Sequence, residues 1–256
     1  MTLALTLLGA LVVGIALGLL GAGGSILAVP VLVYGAGQEM SIAVPTALLV
    51  VAASSVGALL PRIRGGQVRW PVAGVFAVGG VPASLAGAAL GRNLPDRLLL
   101  PGFAVLMVIA AVRMLRGGER PGGACRTERG QVDHRRCLPR ALTVGAGVGA
   151  LTGLFGVGGG FAVVPALTLL LGLPTAEAVG TSLAIILVNS VAGFAGHAGA
   201  TVDLDHQITL TFTAVALLTS HTAGRLAGRI STDRVRRWFA WTVLGLAPAI
   251  AAGAFL

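Results

Sequence analysis

The chain is 256 residues long, 55% apolar and only 11% charged, with a mean hydropathy of +0.92. A soluble domain of that length lacks the interior to hide so much apolar surface. The net charge of +9 could point to nucleic acid, but the basic residues, all arginine, fall between apolar runs. No nucleic acid partner is therefore expected, and the lipid bilayer is the surface these residues address.

In chain order the uncharged runs cover residues 3–34, 42–60, 70–90, 98–112, 141–173, 178–196, 208–224 and 238–256. A helix needs about 20 mostly apolar residues to cross the hydrocarbon core. Backbone polar groups in lipid must pair internally, and these runs are continuous rather than alternating, so helices are expected and not a barrel. The fold class is all-α, a polytopic transmembrane protein. The opening residues 1–6 carry no positive charge ahead of the first run, so no cleaved signal peptide is expected.

The first run is too long for one crossing: its 32 residues would make a straight helix of about 48 Å. Glycines at 21, 23 and 24, then Pro30, divide it. The same pattern returns. Residues 18–32 align with residues 153–167 at an offset of 135, with eight of fifteen positions identical, four of them glycine and one the proline. The register continues through Ala43/Ala178, Val44/Val179, Thr46/Thr181, Leu48/Leu183, Ser55/Ser190 and Val56/Val191. After a two-residue shift Gly87, Gly91, Arg92, Asp96 and Arg97 match Gly224, Gly228, Arg229, Asp233 and Arg234. Residues 1–115 thus form a first transmembrane repeat and residues 140–256 a second. Residues 116–139, rich in Gly, Pro and Arg, read as a solvated cytoplasmic linker. Cys125, His134 and Cys137 in that linker are too few and too spread for a metal site, and no cofactor is expected. With no lysine in the chain there is no P-loop to hydrolyse ATP.

Arginine positions choose between parallel and inverted halves. Four crossings per half would put 11 arginines on one side and 7 on the other. If the long first run doubles back at its glycines, the halves are inverted, and the split becomes 16 against 2. The positive-inside rule favours the second arrangement.

The two glycine–proline segments, Gly18–Leu32 and Gly153–Leu167, resemble those of the sulfite exporter TauE/SafE family of membrane transporters, as does the Val-Gly-Thr181-Ser182 element. The resemblance covers nearly the whole chain. It implies a multi-pass protein of the bacterial inner membrane that moves small anions such as sulfite or organosulfonates. Ser25 stands where the second copy has Gly160, and Pro45 replaces the glycine before Thr181, which leaves substrate identity open.

A small oxyanion in a bilayer needs positive potential at little desolvation cost, and helix N-termini at a break supply it. The expected substrate contacts are Gly21, Gly23, Gly24 and Ser25 in the first motif and Gly156, Gly158, Gly159 and Gly160 in the second. Thr46, Thr181, Ser182, Asn189 and Ser190 add hydroxyls and an amide near the membrane middle. Close helix packing is the competing role for the glycines, and bonding back to the helix is the competing role for the hydroxyls. His221 and Arg225 share a helix face at i and i+4 inside an apolar run, as a possible proton or anion relay. His197, His206, Asp203 and Asp205 read as a solvated loop.

The function expected is export of a small anion by alternating access, with a homo-oligomer compatible with the sequence. A passive channel and a non-transporting membrane partner are the rivals. An enzyme is not expected, because the apolar runs contain no Asp, Glu, Cys or Lys.

Overall fold

The computed structural model describes residues 2–20, 23–116, 134–155, 163–164, 167–168, 173–197, 206–226, 237, 240–241, 243–245 and 247–248. Helix α1, Thr2–Leu20, has 19 residues and so a length of about 28 Å, enough to cross the hydrocarbon core alone. A 3-10 turn, Gly23–Leu27, a single α-turn, Ala28–Pro30, and a wide π-turn, Val31–Gly35, follow as one broken helix. A Cβ added at Gly9 would collide with the Val31 side chain, so the broken helix folds back along α1. The long run is thus divided after α1, and its second part returns along the first.

The remaining helices are α2, Met40–Arg64, α3, Trp70–Gly91, α4, Asp96–Arg116, α5, His134–Phe155, α6, Thr175–His197, and α7, His206–Leu226. No strand occurs among the described residues. Helix α5 begins inside the stretch expected to be linker, and α2 continues through Pro61 to Arg64. Met40–Arg64, Trp70–Gly91 and Ala176–His197 are each long and apolar enough to span a membrane, while Thr6–Leu20, Ser25–Gly35 and Ala141–Phe155 are shorter apolar helices. Leu8, Val78, Leu98, Leu210 and Leu218 stay exposed, as side chains meeting lipid do.

Helix α3 packs on α5 and α6, α7 packs on α1 and α2, and α2 packs on α6. Small residues set the closest of these approaches. Gly145, Gly149 and Gly153 form a flat stripe on α5, and a Cβ at Gly149 or Gly153 would run into the carbonyl of Gly80 or Ser84 on α3. On α1, a Cβ at Gly14 would lie 2.6 Å from the Ala216 carbonyl oxygen, and one at Gly18 would lie 2.5 Å from that of Ser220.

These contacts also give directions. Gly80 meets Gly149 and Gly91 meets Leu154, so α3 and α5 are parallel. Gly80 meets Asn189 and Ala88 meets Gly196, so α3 and α6 are parallel too. Helix α7 runs with α1 and with α2, where Ser54 meets Ser220 and Pro61 meets Gly224. Helices α2 and α6 are antiparallel: Leu48 lies against Gly193, whereas Gln67, just past the end of α2, lies against Gly180. One end of the molecule thus gathers Arg62, Arg64, Arg69 and Arg225, and the other carries Arg92 and His197. Phe103 of α4 packs on Phe155, the last residue of α5, with ring centroids 6.0 Å apart.

Candidate functional site

Helices α2 and α6 lie at the centre of the packing, so polar residues near their middles are cut off from both lipid and water. Ser54, Ser55, Asn189 and Ser190 are all 0% exposed. The hydroxyls of Ser54, Ser55 and Ser190, and both amide atoms of Asn189, have no hydrogen-bond partner among the described residues. Ser54 and Asn189 are 135 apart in sequence, as are Ser55 and Ser190. Buried polar groups are nearly always paired, and one left unpaired costs about 1–3 kcal/mol. Gln38, Thr209 and Thr213 also carry buried polar atoms without partners among the described residues, but these four positions pair off between the two central helices in the 135-residue register.

Glycine makes the room for the amide. A Cβ at Gly80 of α3 would lie 2.5 Å from Asn189 Oδ1. The backbone on either side is pinned. Ser84 Oγ donates to the Asn189 carbonyl at 2.9 Å, and Ser220 Oγ donates to the Ser54 carbonyl at 2.7 Å.

The other expected contacts are placed differently. Thr46 donates to the Ile42 carbonyl of its own helix at 2.7 Å, and Ser182 donates to that of Val179 at 2.8 Å. Thr181 is fully buried and accepts the Arg69 backbone N–H at 3.0 Å. Gly23 and Gly24 open the 3-10 turn, and Ser25 is buried within it. Gly21, Gly156, Gly158, Gly159 and Gly160 lie outside the described residues. His221 is half-buried, with Nδ1 at 2.9 Å from the Gly57 carbonyl of α2, and Arg225 is exposed in the last turn of α7.

Two basic residues depart from the sequence reading. Arg62, counted there among loop arginines, is 8% exposed inside the last turn of α2, and its Nη2 donates to the Gly18 carbonyl at 3.1 Å. His197, read as solvated, is the last residue of α6, 6% exposed, with Nδ1 2.8 Å from the Gly193 carbonyl. The helices continue further than the apolar runs suggest, and carry both side chains in with them. The offset of 135 relates these two positions as well, and that signal was available in the sequence.

Outside the spans, Arg69 Nε and Nη2 meet the Glu177 carboxylate at 2.8 and 3.0 Å. That hydrogen bond, then the opposite charge, raises the Arg69 pKa above its ordinary value. The pair fastens the α2–α3 loop to the start of α6. No group of three or more His, Cys, Asp or Glu placed to hold a metal occurs among the described residues.

Comparison with known proteins agrees with the helical, lipid-facing architecture. The family model for the sulfite exporter TauE/SafE matches residues 6–250. A probable membrane transporter protein of Xylella fastidiosa (strain Temecula1 / ATCC 700964) is 39% identical over 172 residues, 67% of this chain and 64% of that protein. The alignment therefore spans just under two thirds of that relative's length. A probable membrane transporter protein of Bacillus subtilis (strain 168) is 30% identical over 204 residues, 73% of this chain and 75% of the relative. No solved structure matches. The chain belongs to the sulfite exporter TauE/SafE family of membrane proteins.

Proposed function

We propose that this protein carries a small anion, sulfite or an organosulfonate, outward across the bacterial inner membrane by alternating access between two inverted halves. The observation that carries the reading is the set of buried, unpartnered polar atoms on Ser54 and Ser55 of α2 and on Asn189 and Ser190 of α6. Hydroxyls and a carboxamide offer several neutral donors to an oxyanion. Neutral donors favour transport, because a fixed charge at that depth would hold the anion too tightly to release it.

The inverted arrangement has its own support. Helices α2 and α6 correspond in the 135-residue register, yet run antiparallel. Helices α3 and α7 correspond after the two-residue shift, and they too point oppositely, through their shared neighbours α6 and α2. Inverted halves give a transporter two related ways of opening, one to each side. The arginine-rich end is the cytoplasmic one by the positive-inside rule. In this reading the glycine motifs 21–24 and 156–160, with Ser25, Thr46, Thr181 and Ser182, supply further contacts to the anion, and His221 and Arg225 relay a proton or the anion at the cytoplasmic end.

The test is uptake of radiolabelled sulfite by proteoliposomes, with and without a pH gradient, for the wild type and Asn189→Leu. Saturable flux that the substitution abolishes is expected. Non-saturating flux would replace the carrier by a channel. Equal flux in Asn189→Leu would remove the α2–α6 group from the path.

A further inference from the structure

Arg62 carries a buried charge with no carboxylate paired to it among the described residues. Only one ion pair occurs among those residues, between Arg69 and Glu177. The Arg62 side chain is 8% exposed, and its Nε has no hydrogen-bond partner among them. A buried charge is costly unless it is paired. The bond from Nη2 to the Gly18 carbonyl caps the C-terminus of α1, where the last carbonyls lack partners within the helix. That cap uses one of the five N–H groups of the guanidinium, and the negative end of the α1 dipole offsets part of its charge, while Nε stays without a partner among the described residues.

A second arginine lies at the same end. Gly224 of α7 packs on Pro61, which brings Arg225 of the same turn to this end of the molecule. His221 bonds the Gly57 carbonyl, about one and a half turns along α2 from Arg62. The first glycine break, at residues 21–24, follows α1 directly. The corresponding position in the other half, His197, is also basic and buried, at the opposite end.

We propose that Arg62 is an anion-binding residue: its guanidinium takes a small tetrahedral or pyramidal oxyanion at the arginine-rich end, where α1, α2 and α7 meet. This rests on the anion-transport reading and adds to it a charged receiving site separate from the neutral group at Asn189. An oxyanion meets the planar fork of the guanidinium through two N–H donors, a geometry that lysine does not reproduce. A cation at the mouth concentrates and desolvates the anion before it passes to the neutral donors deeper in.

Equilibrium binding of radiolabelled sulfite and sulfate to the purified full chain in detergent tests the assignment. The proteins compared are wild type, Arg62→Gln, Arg62→Lys and, as a control, the exposed neighbour Arg64→Gln. Loss of a charged, bidentate contact should weaken binding about tenfold or more in Arg62→Gln, with Arg62→Lys between it and wild type and Arg64→Gln unchanged. Should Arg62→Gln fail to fold, nitrogen-15 arginine spectra of the wild type replace it, with the Arg62 Nε resonance assigned by its loss in Arg62→Lys. That resonance should move as sulfite is added. Unchanged affinity in Arg62→Gln, or an Arg62 resonance that ignores a saturating anion, would overturn this assignment and leave the anion reading intact. A wild type that binds neither anion would overturn both.

Discussion

Ser84 donates its hydroxyl to the backbone carbonyl of Asn189 at 2.9 Å, tying α3 to the α6 backbone beside a buried amide whose own atoms have no partner among the described residues. Ser220 makes the corresponding bond from α7 to the Ser54 carbonyl of α2 at 2.7 Å. The two bonds hold the backbones carrying the candidate site while leaving its side chains available. Interhelical bonds of this kind in membrane proteins contribute about 0.6 kcal/mol on average. Ser84→Ala should cost about that much and Ser220→Ala no more, because Ser220 Oγ shares its one proton with the Leu217 carbonyl of its own helix at 2.9 Å, and the double variant should cost the sum. Unfolding of the purified variants in detergent measures it. A large loss in one and none in the other would argue against equivalent roles for the two bonds.

Helix α5 offers a direct comparison of two glycines one half-turn apart. Gly149 faces the Gly80 carbonyl, and an added Cβ would collide with it, whereas nothing lies within 4 Å of a Cβ at Gly147. Gly149→Ala should force α3 and α5 apart and sharply reduce the yield of monodisperse protein in size-exclusion chromatography. Gly147→Ala should be neutral or stabilising, by up to about 1 kcal/mol from helix propensity alone. Equal tolerance of both substitutions would mean that α3 and α5 do not approach as closely as described.

The helices were legible because lipid imposes a simple rule, a long uncharged run, and the runs 42–60, 70–90, 178–196 and 208–224 all lie within α2, α3, α6 and α7. Length alone also showed that the run 3–34 must turn back. The glycines marked where it turns, and the chain does fold back after Leu20, though hydropathy does not show how the returning segment breaks into short turns. Charged ends were misread for a related reason. Arg62 follows a proline and precedes Arg64, which looks like loop, but Pro61 is accommodated within α2 and the helix carries Arg62 inward. The competing role weighed for the hydroxyls holds at Thr46 and Ser182, each bonded to its own helix. Asn189 was picked out as polar at membrane depth. Its lack of partners, and the space Gly80 leaves for it, depend on helix packing that one sequence does not display.

Thr181 makes a structural bond whose loss should be visible apart from transport. Its hydroxyl accepts the Arg69 N–H at 3.0 Å, while the Arg69 side chain grips Glu177. Thr181→Val keeps the shape and leaves that N–H without its acceptor, at a cost of about 1–3 kcal/mol. Thr181→Ser should restore most of it. Glu177→Gln removes an exposed pair and should have a smaller effect that shrinks further with salt. Because Glu177 raises the Arg69 pKa, the stabilisation is present below the ordinary arginine value and lost only as pH rises through the raised one. The Glu177→Gln difference should therefore stay flat between about pH 6 and 9. Thermal melts at several pH values and salt concentrations check this, and a marked slope in that range would assign the contact to another titrating group.

Asn189→Leu separates function from stability. Both side chains branch at Cγ with the same number of heavy atoms, Gly80 leaves room beside them, and the native amide makes no bond among the described residues that leucine would break. Exchanging an unpaired buried amide for an apolar group removes a desolvation cost of about 1–3 kcal/mol. The variant should unfold at the same or a higher temperature than wild type while its sulfite flux falls. Such opposite movement is the signature of a residue kept for what it binds and not for what it packs against. A variant that loses both stability and flux would instead make Asn189 a packing element, its amide satisfied in some way that the described contacts do not include.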